Sequence, residues 1–325
     1  MDILIWSIIF IIALAVMVVG AEMFLKNAEL VGARMGMSSF VIGAIIVGLG
    51  TSLPELTSSL LALLANEPTI VASNAIGSNI ANILLVGGVL AFVGKHMVIG
   101  KNLLDAELPF FVISTALFAE IAFDGQITFI ESVLLASTFV VYMIFLFSKE
   151  YESGSVVEAV SEEVQHERFT FFKLHELRSV LMMVGGLVAL LIGAKFVIDA
   201  VIELATIMSV PPSVISISAI AFGTSLPELV VSVKALQLKK LEVAIGNIFG
   251  SNAFNILMAV GIPGLFSTLP LDTPTLTIGL PVLLVSSFIF LVIGLAHKIY
   301  RWEGIMFFLL YVFFILQIID FCCVA

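Results

Sequence analysis

One hexapeptide occurs twice in the sequence: Gly-Thr-Ser-Leu-Pro-Glu stands at residues 50–55 and again at residues 223–228. Each copy lies in a strongly apolar stretch, where a proline removes a helical hydrogen bond and clashes with the carbonyl group four residues earlier. An ionised glutamate in such a stretch is costly unless a partner of opposite charge neutralises it. Glu55 and Glu228 therefore have the residue type and the surroundings of cation ligands.

A second duplicated motif adds hydroxyl and amide oxygens to the two carboxylates. The pattern Asn-x-x-Gly-Ser-Asn-x-x-Asn-Ile-Leu occurs at residues 74–84 and 247–257, and its two copies have the same spacing as the two hexapeptides. Its Ser and its last Asn are separated by four positions, so in a helix they share one face. Beside the glutamates, the predicted side-chain ligands are Thr51, Ser52, Ser78, Asn82, Thr224, Ser225, Ser251 and Asn255.

The prolines also predict free backbone oxygens beside each glutamate, near Gly48 and Gly50 in the first copy and near Ala221 and Gly223 in the second. Unwound backbone is tolerated in a membrane where it lines a cavity or is buried in protein. All candidate ligands are oxygen atoms, which favour hard cations such as Ca²⁺ and Na⁺, while Mg²⁺ gives up its water reluctantly. The charge of two carboxylates is balanced by one Ca²⁺ or by two Na⁺, so the two ions compete for the site. This competition is the physical basis of antiport.

Each part of the motifs also has a structural explanation. The prolines could be ordinary helix kinks, the hydroxyls could join helices, and the Gly-Ser pairs at 77–78 and 250–251 could allow close packing. Asn79 and Asn252 are better explained by packing than by ligation. The two buried carboxylates are the part that is hardest to explain without a cation.

The composition places these motifs in a membrane. Hydrophobic residues make up 61% of the 325 residues and charged residues 12%, against about 25% charged in soluble proteins. At about 20 apolar residues per spanning helix, the length fits about ten helices. The apolar runs predict helices at residues 3–26, 38–65, 69–93, 105–122, 127–148, 177–203, 211–236, 242–266, 274–296 and 304–322.

The distribution of positive charge predicts the orientation. The sequence has 14 Lys and Arg residues, and with the N-terminus outside all of them except Lys195 fall on the cytoplasmic side. Cytoplasmic loops are enriched in Lys and Arg. We therefore expect a multi-pass protein of the cell membrane, with both termini outside and the acidic linker at residues 149–176 in the cytoplasm.

The constant spacing between the copies of both motifs predicts a duplication with halves at residues 1–148 and 177–325. Each half has five predicted helices, an odd number, so the second half enters the membrane from the opposite side. The predicted fold class is an all-α polytopic membrane protein with ten transmembrane helices, in two inverted five-helix repeats with broken core helices. Inverted repeats of this kind bind their substrates near the bilayer midplane, where the halves meet.

The sequence favours a transporter over other classes of membrane protein. An enzyme is disfavoured because the predicted membrane helices contain no nucleophile with a neighbouring base. A passive cation channel usually has a pore lined by several subunits, whereas an inverted repeat within one chain favours alternating access. No cofactor, nucleic acid or obligatory protein partner is indicated, and the expected partners are Ca²⁺, Na⁺ and the lipid bilayer.

With both motifs present in inverted halves, the sequence resembles the α-repeats of the cation/Ca²⁺ antiporter superfamily and is most similar to microbial sodium/calcium exchangers. This resemblance implies a four-helix core across which the first and sixth helices slide. It implies four central cation sites in a diamond, at which Ca²⁺ competes with Na⁺. The usual exchange in this family, three Na⁺ for one Ca²⁺, moves net charge.

The resemblance also implies a role for each motif residue. Glu55 and Glu228 would bind Ca²⁺ together with the carbonyl oxygens of Thr51 and Thr224. The implied Na⁺ ligands are Thr51, Ser52, Ser78 and the Gly48 carbonyl in one repeat, and Thr224, Ser225, Ser251 and the Ala221 carbonyl in the other. Asn82 and Asn255 would flank the central position.

The counter-ion is open at this point. Export of Ca²⁺ in exchange for Na⁺ is the first hypothesis, and a Ca²⁺/H⁺ antiporter that uses the same two glutamates is the alternative. Some members of the superfamily, including potassium-dependent exchangers, have an aspartate where this chain has Asn255. That difference argues against co-transport of K⁺.

Overall fold

The computed structural model describes residues 2–98, 101–152, 174–208 and 223–324, and this part of the chain is almost entirely helical. It contains ten helices, several of them with short interruptions. They are α1 (Asp2–Arg34), α2 (Ser39–Leu64), α3 (Thr69–Gly94), α4 (Lys101–Ala122), α5 (Phe129–Glu152), α6 (Leu174–Ile207), α7 (Leu226–Gln237), α8 (Leu241–Gly264), α9 (Thr275–Leu295) and α10 (Arg301–Val324). The predicted all-α class is confirmed.

Within the described residues, eight of these helices are long and apolar enough to cross a membrane, and α4 and α7 are not among them. The sequence of α4 includes the carboxylates Glu107 and Glu120. Only 12 residues of α7 are described, because residues 211–222 of its predicted range 211–236 lie outside the described part. The helices lie where the apolar runs predict them, whereas their ends differ by several residues.

The two duplicated motifs lie on helices of the protein core. In the most apolar stretch of α8, 94% of the residues are buried within the protein, and in the corresponding stretch of α1 only 17% are buried. Helices α2 and α3 are intermediate, at 61% and 78%. A helix that exposes many apolar side chains in a membrane protein faces lipid, so α1 is peripheral and α8 is central.

Helices α1 and α6 pack against each other with their backbones in close contact. A Cβ atom on Gly20 would lie 2.5 Å from the backbone nitrogen of Leu190. A Cβ atom on Gly186 would lie 2.5 Å from the backbone nitrogen of Phe24. Small residues allow such an approach between membrane helices, and here they bring α1 and α6 together as a pair.

Helix α1 continues past its predicted range, 3–26, to Arg34. Within the predicted range, Glu22 forms an ion pair with Lys234 of α7, at 2.8 Å between Oε2 and Nζ. In the additional turns, Glu29 forms a second ion pair with Lys240, immediately before α8. The apolar pattern ends before Glu29, so hydropathy alone missed these turns, which the second ion pair ties to the core. Helix α6 likewise exceeds its predicted range at both ends.

The first hexapeptide interrupts its helix, as its proline predicts, and a helix begins within the second hexapeptide. In α2 a segment at Gly48–Thr51 ends at Ser52, whose φ and ψ are −89° and 6°, and a new segment runs over Leu53–Leu64. Helix α7 begins directly after Ser225, with φ and ψ of −91° and 3°. In both copies the proline is at one of the first two helical positions, where its missing N–H removes no helical bond.

Among the described residues, three segments form π-helix, which no pattern in the sequence predicted. They are Ile42–Val47 in α2, Ala81–Val86 in α3 and Thr275–Gly279 at the start of α9. Helix α8 is interrupted after Leu257 and resumes at Gly261–Gly264. Short π-helical turns are frequent at functional sites; the first of these lies just before the hexapeptide at residues 50–55, and the second overlaps the motif at residues 74–84.

Two short antiparallel ribbons join distant parts of the chain. The strands are β1 (His96–Val98), β2 (Gln126–Ile127), β3 (Leu269–Pro270) and β4 (Lys298–Tyr300). In one ribbon His96 pairs with Tyr300, and in the other Ile127 pairs with Leu269. Leu269 is the counterpart of His96, and Tyr300 is the counterpart of Ile127, at the same spacing that separates the motif copies. The two ribbons are therefore equivalent to each other. The strands are too short to show a period of two, so hydropathy did not indicate them.

Candidate cation site

Glu55 and Glu228 lie at equivalent positions of two half-helices in the protein core. Each is in the first turn of its segment, Leu53–Leu64 or Leu226–Gln237. The N-terminal end of a helix carries a partial positive charge, which favours a carboxylate there. The two side chains are 0% and 1% exposed, and they lie within electrostatic range of each other.

Hydrogen bonds between side chains join the two copies of the hexapeptide to each other and to the second motif. Ser52 Oγ of the first copy donates to Glu228 Oε1 of the second, at 3.1 Å. Ser78 Oγ and Thr224 Oγ1 form a hydrogen bond of 3.0 Å, in which either hydroxyl can be the donor. Residues that are far apart in the sequence, in different copies of the motifs, therefore meet at one place.

A second group of oxygens surrounds the carbonyl group of Gly48. Thr51 Oγ1 and Ser251 Oγ each donate to Gly48 O, both at 3.3 Å. Ser251 comes this close because α8 packs tightly on α2: a Cβ atom on Gly250 would lie 2.0 Å from the carbonyl oxygen of Ala44. Among the described residues, the equivalent Gly77 has no atom within 4 Å of its Cβ position. Close packing thus explains the glycine of the second copy.

Many polar atoms of this region are buried without a hydrogen-bond partner among the described residues. They include both carboxylate oxygens of Glu55, Oε2 of Glu228, Oγ of Ser225, and the amide oxygen and nitrogen of both Asn82 and Asn255. Leaving a buried polar group unpaired costs about 1–3 kcal/mol, and more for a charged group. The same oxygen atoms are suitable ligands for a hard cation.

Hydrogen bonds or electrostatic interactions connect eight of the predicted site residues, namely Gly48, Thr51, Ser52, Glu55, Ser78, Thr224, Glu228 and Ser251. Ser225, Asn82 and Asn255 are buried in or directly beside the same core helices. Except for Thr224, which is half-buried, the side chains of all these residues are buried, and the backbone of Gly48 is buried with them. Asn82 lies in the π-helical segment of α3, whereas Asn255 lies in the α-helical part of α8. The predicted carbonyl of Ala221 lies outside the described residues. Across the described part of the chain there is no group of three or more His, Cys, Asp and Glu side chains that could hold a metal ion.

Asn247 is a central residue of the site, although no role was predicted for it from the sequence. Its Nδ2 donates to Ser232 Oγ at 2.8 Å and to the backbone oxygen of Glu228 at 3.3 Å. Its Oδ1 accepts from Thr51 Oγ1 of the other copy at 3.2 Å. Asn74, at the equivalent position, similarly approaches the Glu55 backbone oxygen at 3.5 Å. The signal was present, since Asn is the first residue of the second duplicated motif.

We expect Asn247→Ala to lower the thermal stability of the detergent-purified protein more than Asn74→Ala does. Asn247 joins both copies of the motif, and its removal takes one hydrogen-bond partner from three buried groups; a buried group that is left unpaired costs about 1–3 kcal/mol. Asn74 is bonded only to the first copy. Unfolding followed by intrinsic fluorescence measures the difference. Equal midpoints for the two variants would contradict this role of Asn247.

Fold and site together define the class of the protein. It is a polytopic helical membrane protein in which two copies of one motif build a buried, oxygen-lined site from broken helices. The profile of the family described as sodium/calcium exchanger protein matches residues 5–148 and 178–319. The chain therefore belongs to the sodium/calcium exchanger family, and the resemblance indicated by the motifs is confirmed.

Individual relatives match over nearly the whole chain. The sodium/calcium exchanger MaX1 of Methanosarcina acetivorans is 30% identical, over 95% of this chain and 97% of the relative. The inner membrane protein YrbG of Escherichia coli is 28% identical, over 86% of each. The solved structure of the sodium/calcium exchanger from Methanococcus jannaschii has a TM-score of 0.81 and 29% identity, covering 96% of this chain and 98% of that one. The family and this structural relative are ion exchangers rather than enzymes.

Proposed function

We propose that the protein is a secondary antiporter that exchanges Na⁺ for Ca²⁺ and exports Ca²⁺ from the cytosol. The observation that carries this proposal is the pair of buried glutamates, one from each copy of the motif. Three of the four carboxylate oxygens of Glu55 and Glu228 have no partner among the described residues, and the fourth accepts only a neutral hydroxyl. Burial of such charges costs several kcal/mol for each ion, and a bound cation offsets that cost.

Charge balance then gives competition between the two ions. One Ca²⁺ or two Na⁺ neutralise the two carboxylates, and occupancy by both at once leaves uncompensated positive charge in a region of low dielectric. In the ligand set that we propose, Glu55 and Glu228 bind Ca²⁺ with the carbonyl oxygens of Thr51 and Thr224. The proposed Na⁺ ligands are the hydroxyls of Thr51, Ser52, Ser78, Thr224, Ser225 and Ser251 with the carbonyls of Gly48 and Ala221, and Asn82 and Asn255 flank the centre.

We further propose that residues 1–148 and 177–325 are inverted repeats, joined by a cytoplasmic linker at 149–176. The break in each half supports this, since the segments Leu53–Leu64 and Leu226–Gln237 begin and end at equivalent positions of the two halves. Access would alternate as the pair α1 and α6 moves across the core. Both termini would lie outside the cell membrane.

Uptake of radioactive Ca²⁺ into proteoliposomes tests the counter-ion. We expect uptake when Na⁺ is trapped inside and diluted outside, because outward movement of Na⁺ down its gradient drives Ca²⁺ inward. The matched measurement imposes a pH gradient at equal Na⁺ on both sides. Uptake driven by the pH gradient alone would overturn the proposal of Na⁺/Ca²⁺ exchange and would indicate Ca²⁺/H⁺ exchange at the same glutamates.

The same vesicles test net charge movement. If three Na⁺ leave for each Ca²⁺ that enters, one positive charge leaves the vesicle per cycle. An interior-positive K⁺ diffusion potential should then accelerate uptake, since the potential contributes about 2.3 kcal/mol per charge for each 100 mV. An unchanged rate would indicate electroneutral exchange.

A further inference from the structure

A cleft of about 550 Å³ lies between α1 and α6, away from the cation site. The charged part of its lining includes Glu22, Lys26 and Arg178. The apolar part includes Val19, Leu30 and Met182. It is near the end of α1 that carries the two ion pairs to α7 and α8. In the orientation proposed above, this end faces the cytoplasm.

The charged part of the cleft is positive. Glu22, a carboxylate of its lining, is already paired with Lys234 at 2.8 Å. Lys26 of α1 and Arg178 of α6 are exposed and face the cleft from opposite helices. Arg34 lines the cleft as well and also interacts within the protein. The positive charge acts on nearby Lys240: burial lowers the pKa of its ammonium, and the charge of Lys26 lowers it further.

The apolar part of the cleft is exposed at the outer surface of α1 and α6. Val19 is 65% exposed, Leu30 45% and Met182 41%. In a membrane protein such side chains contact acyl chains, whereas the basic groups beside them lie at the level of lipid phosphates. A soluble anion would use only the charged part, so the combination favours a lipid.

We propose that this cleft binds an anionic phospholipid, with its phosphate between Lys26 and Arg178 and an acyl chain along Val19 and Met182, which lie on the membrane side of the two basic residues. The phosphate would bridge α1 and α6 and would remove the repulsion between two like charges on facing helices. The site is separate from the cation site and does not depend on which ions the protein exchanges.

Native mass spectrometry of the full, detergent-purified chain with phosphatidylglycerol tests the site. We expect one retained phosphatidylglycerol at concentrations at which phosphatidylcholine is lost. Each Lys or Arg at an anionic surface contributes a gain of roughly fivefold in affinity, so Lys26→Gln with Arg178→Gln should weaken retention by about 25-fold. The matched control, Lys239→Gln with Lys298→Gln, removes the same charge from two exposed residues outside the cleft.

The outcomes separate the proposed ligand from other anions. Equal retention in the cleft variant and the parent, or equal loss in the control variant, would overturn the proposal. Inorganic phosphate is added in a further measurement, and displacement of phosphatidylglycerol by millimolar phosphate would assign the cleft to a soluble anion instead. A melting curve of each variant shows that the change in binding does not arise from unfolding.

Discussion

Glu55→Gln and Glu228→Gln are each expected to abolish Ca²⁺ exchange in proteoliposomes while the protein still inserts and folds. Each substitution removes one of the two negative charges that face a bound cation, and the amide fills nearly the same volume. Breaking a buried ion pair from one side costs about 3–5 kcal/mol, so Ca²⁺ affinity should fall on the order of 100-fold or more. Calorimetric titration with Ca²⁺ measures the loss of binding directly, beside the transport assay.

The chain offers a matched control for this substitution. Glu107 of α4 is also buried, at 2% exposure, but its Oε2 accepts a hydrogen bond from the Tyr142 hydroxyl at 3.4 Å. Glu107→Gln keeps an oxygen that can accept this bond and lies outside the cation site, so exchange should continue at a rate near that of the parent. Near-normal exchange in Glu55→Gln or Glu228→Gln would refute the roles proposed for these residues.

Gly250→Ala is expected to destabilise the protein and to reduce exchange strongly. The new Cβ atom would lie 2.0 Å from the carbonyl oxygen of Ala44, and because that atom is backbone, α2 and α8 must separate to accommodate it. Overpacking of a core costs about 1–3 kcal/mol. The separation would also move Ser251 away from the Gly48 carbonyl. Thermal unfolding and Na⁺-driven uptake measure the two effects.

The equivalent substitution in the other copy, Gly77→Ala, is the control. Among the described residues, its Cβ atom meets nothing within 4 Å, and alanine is favoured over glycine within a helix by about 1 kcal/mol. We therefore expect Gly77→Ala to leave stability unchanged or slightly raised. A similar loss of stability in both variants would mean that the close contact at Gly250 is not the cause.

The sequence was sufficient to predict that Glu55 and Glu228 come together. The duplication supplied the reason, because two copies of a motif would face each other if the two halves are inverted repeats. The broken helices also followed from the sequence, since a proline inside a helix removes a hydrogen bond and clashes with the preceding turn. Both predictions rest on a local motif that occurs twice in the sequence, and this repetition distinguishes a functional motif from a chance match.

Other features depend on tertiary contacts that one sequence does not show. The Gly-Ser pair of the second copy packs tightly because α8 crosses α2 at Gly250, and no pattern in the sequence shows that crossing. Asn82 and Asn255 occupy equivalent positions, and yet only the first lies in a π-helical turn. Asn247 has the same residue type as Asn74, and its contact with Thr51 depends on how the helices meet.

The two β-ribbons are equivalent contacts between the two halves of the duplicated chain. In a dimer with two-fold symmetry, a contact between residue i of one subunit and residue j of the other recurs with the subunits exchanged. The pairs His96–Tyr300 and Ile127–Leu269 obey this rule when each half of the chain is treated as one subunit. The fold thus preserves an isologous contact, typical of two identical subunits, within a single polypeptide. Its covalent connection is the segment between α5 and α6.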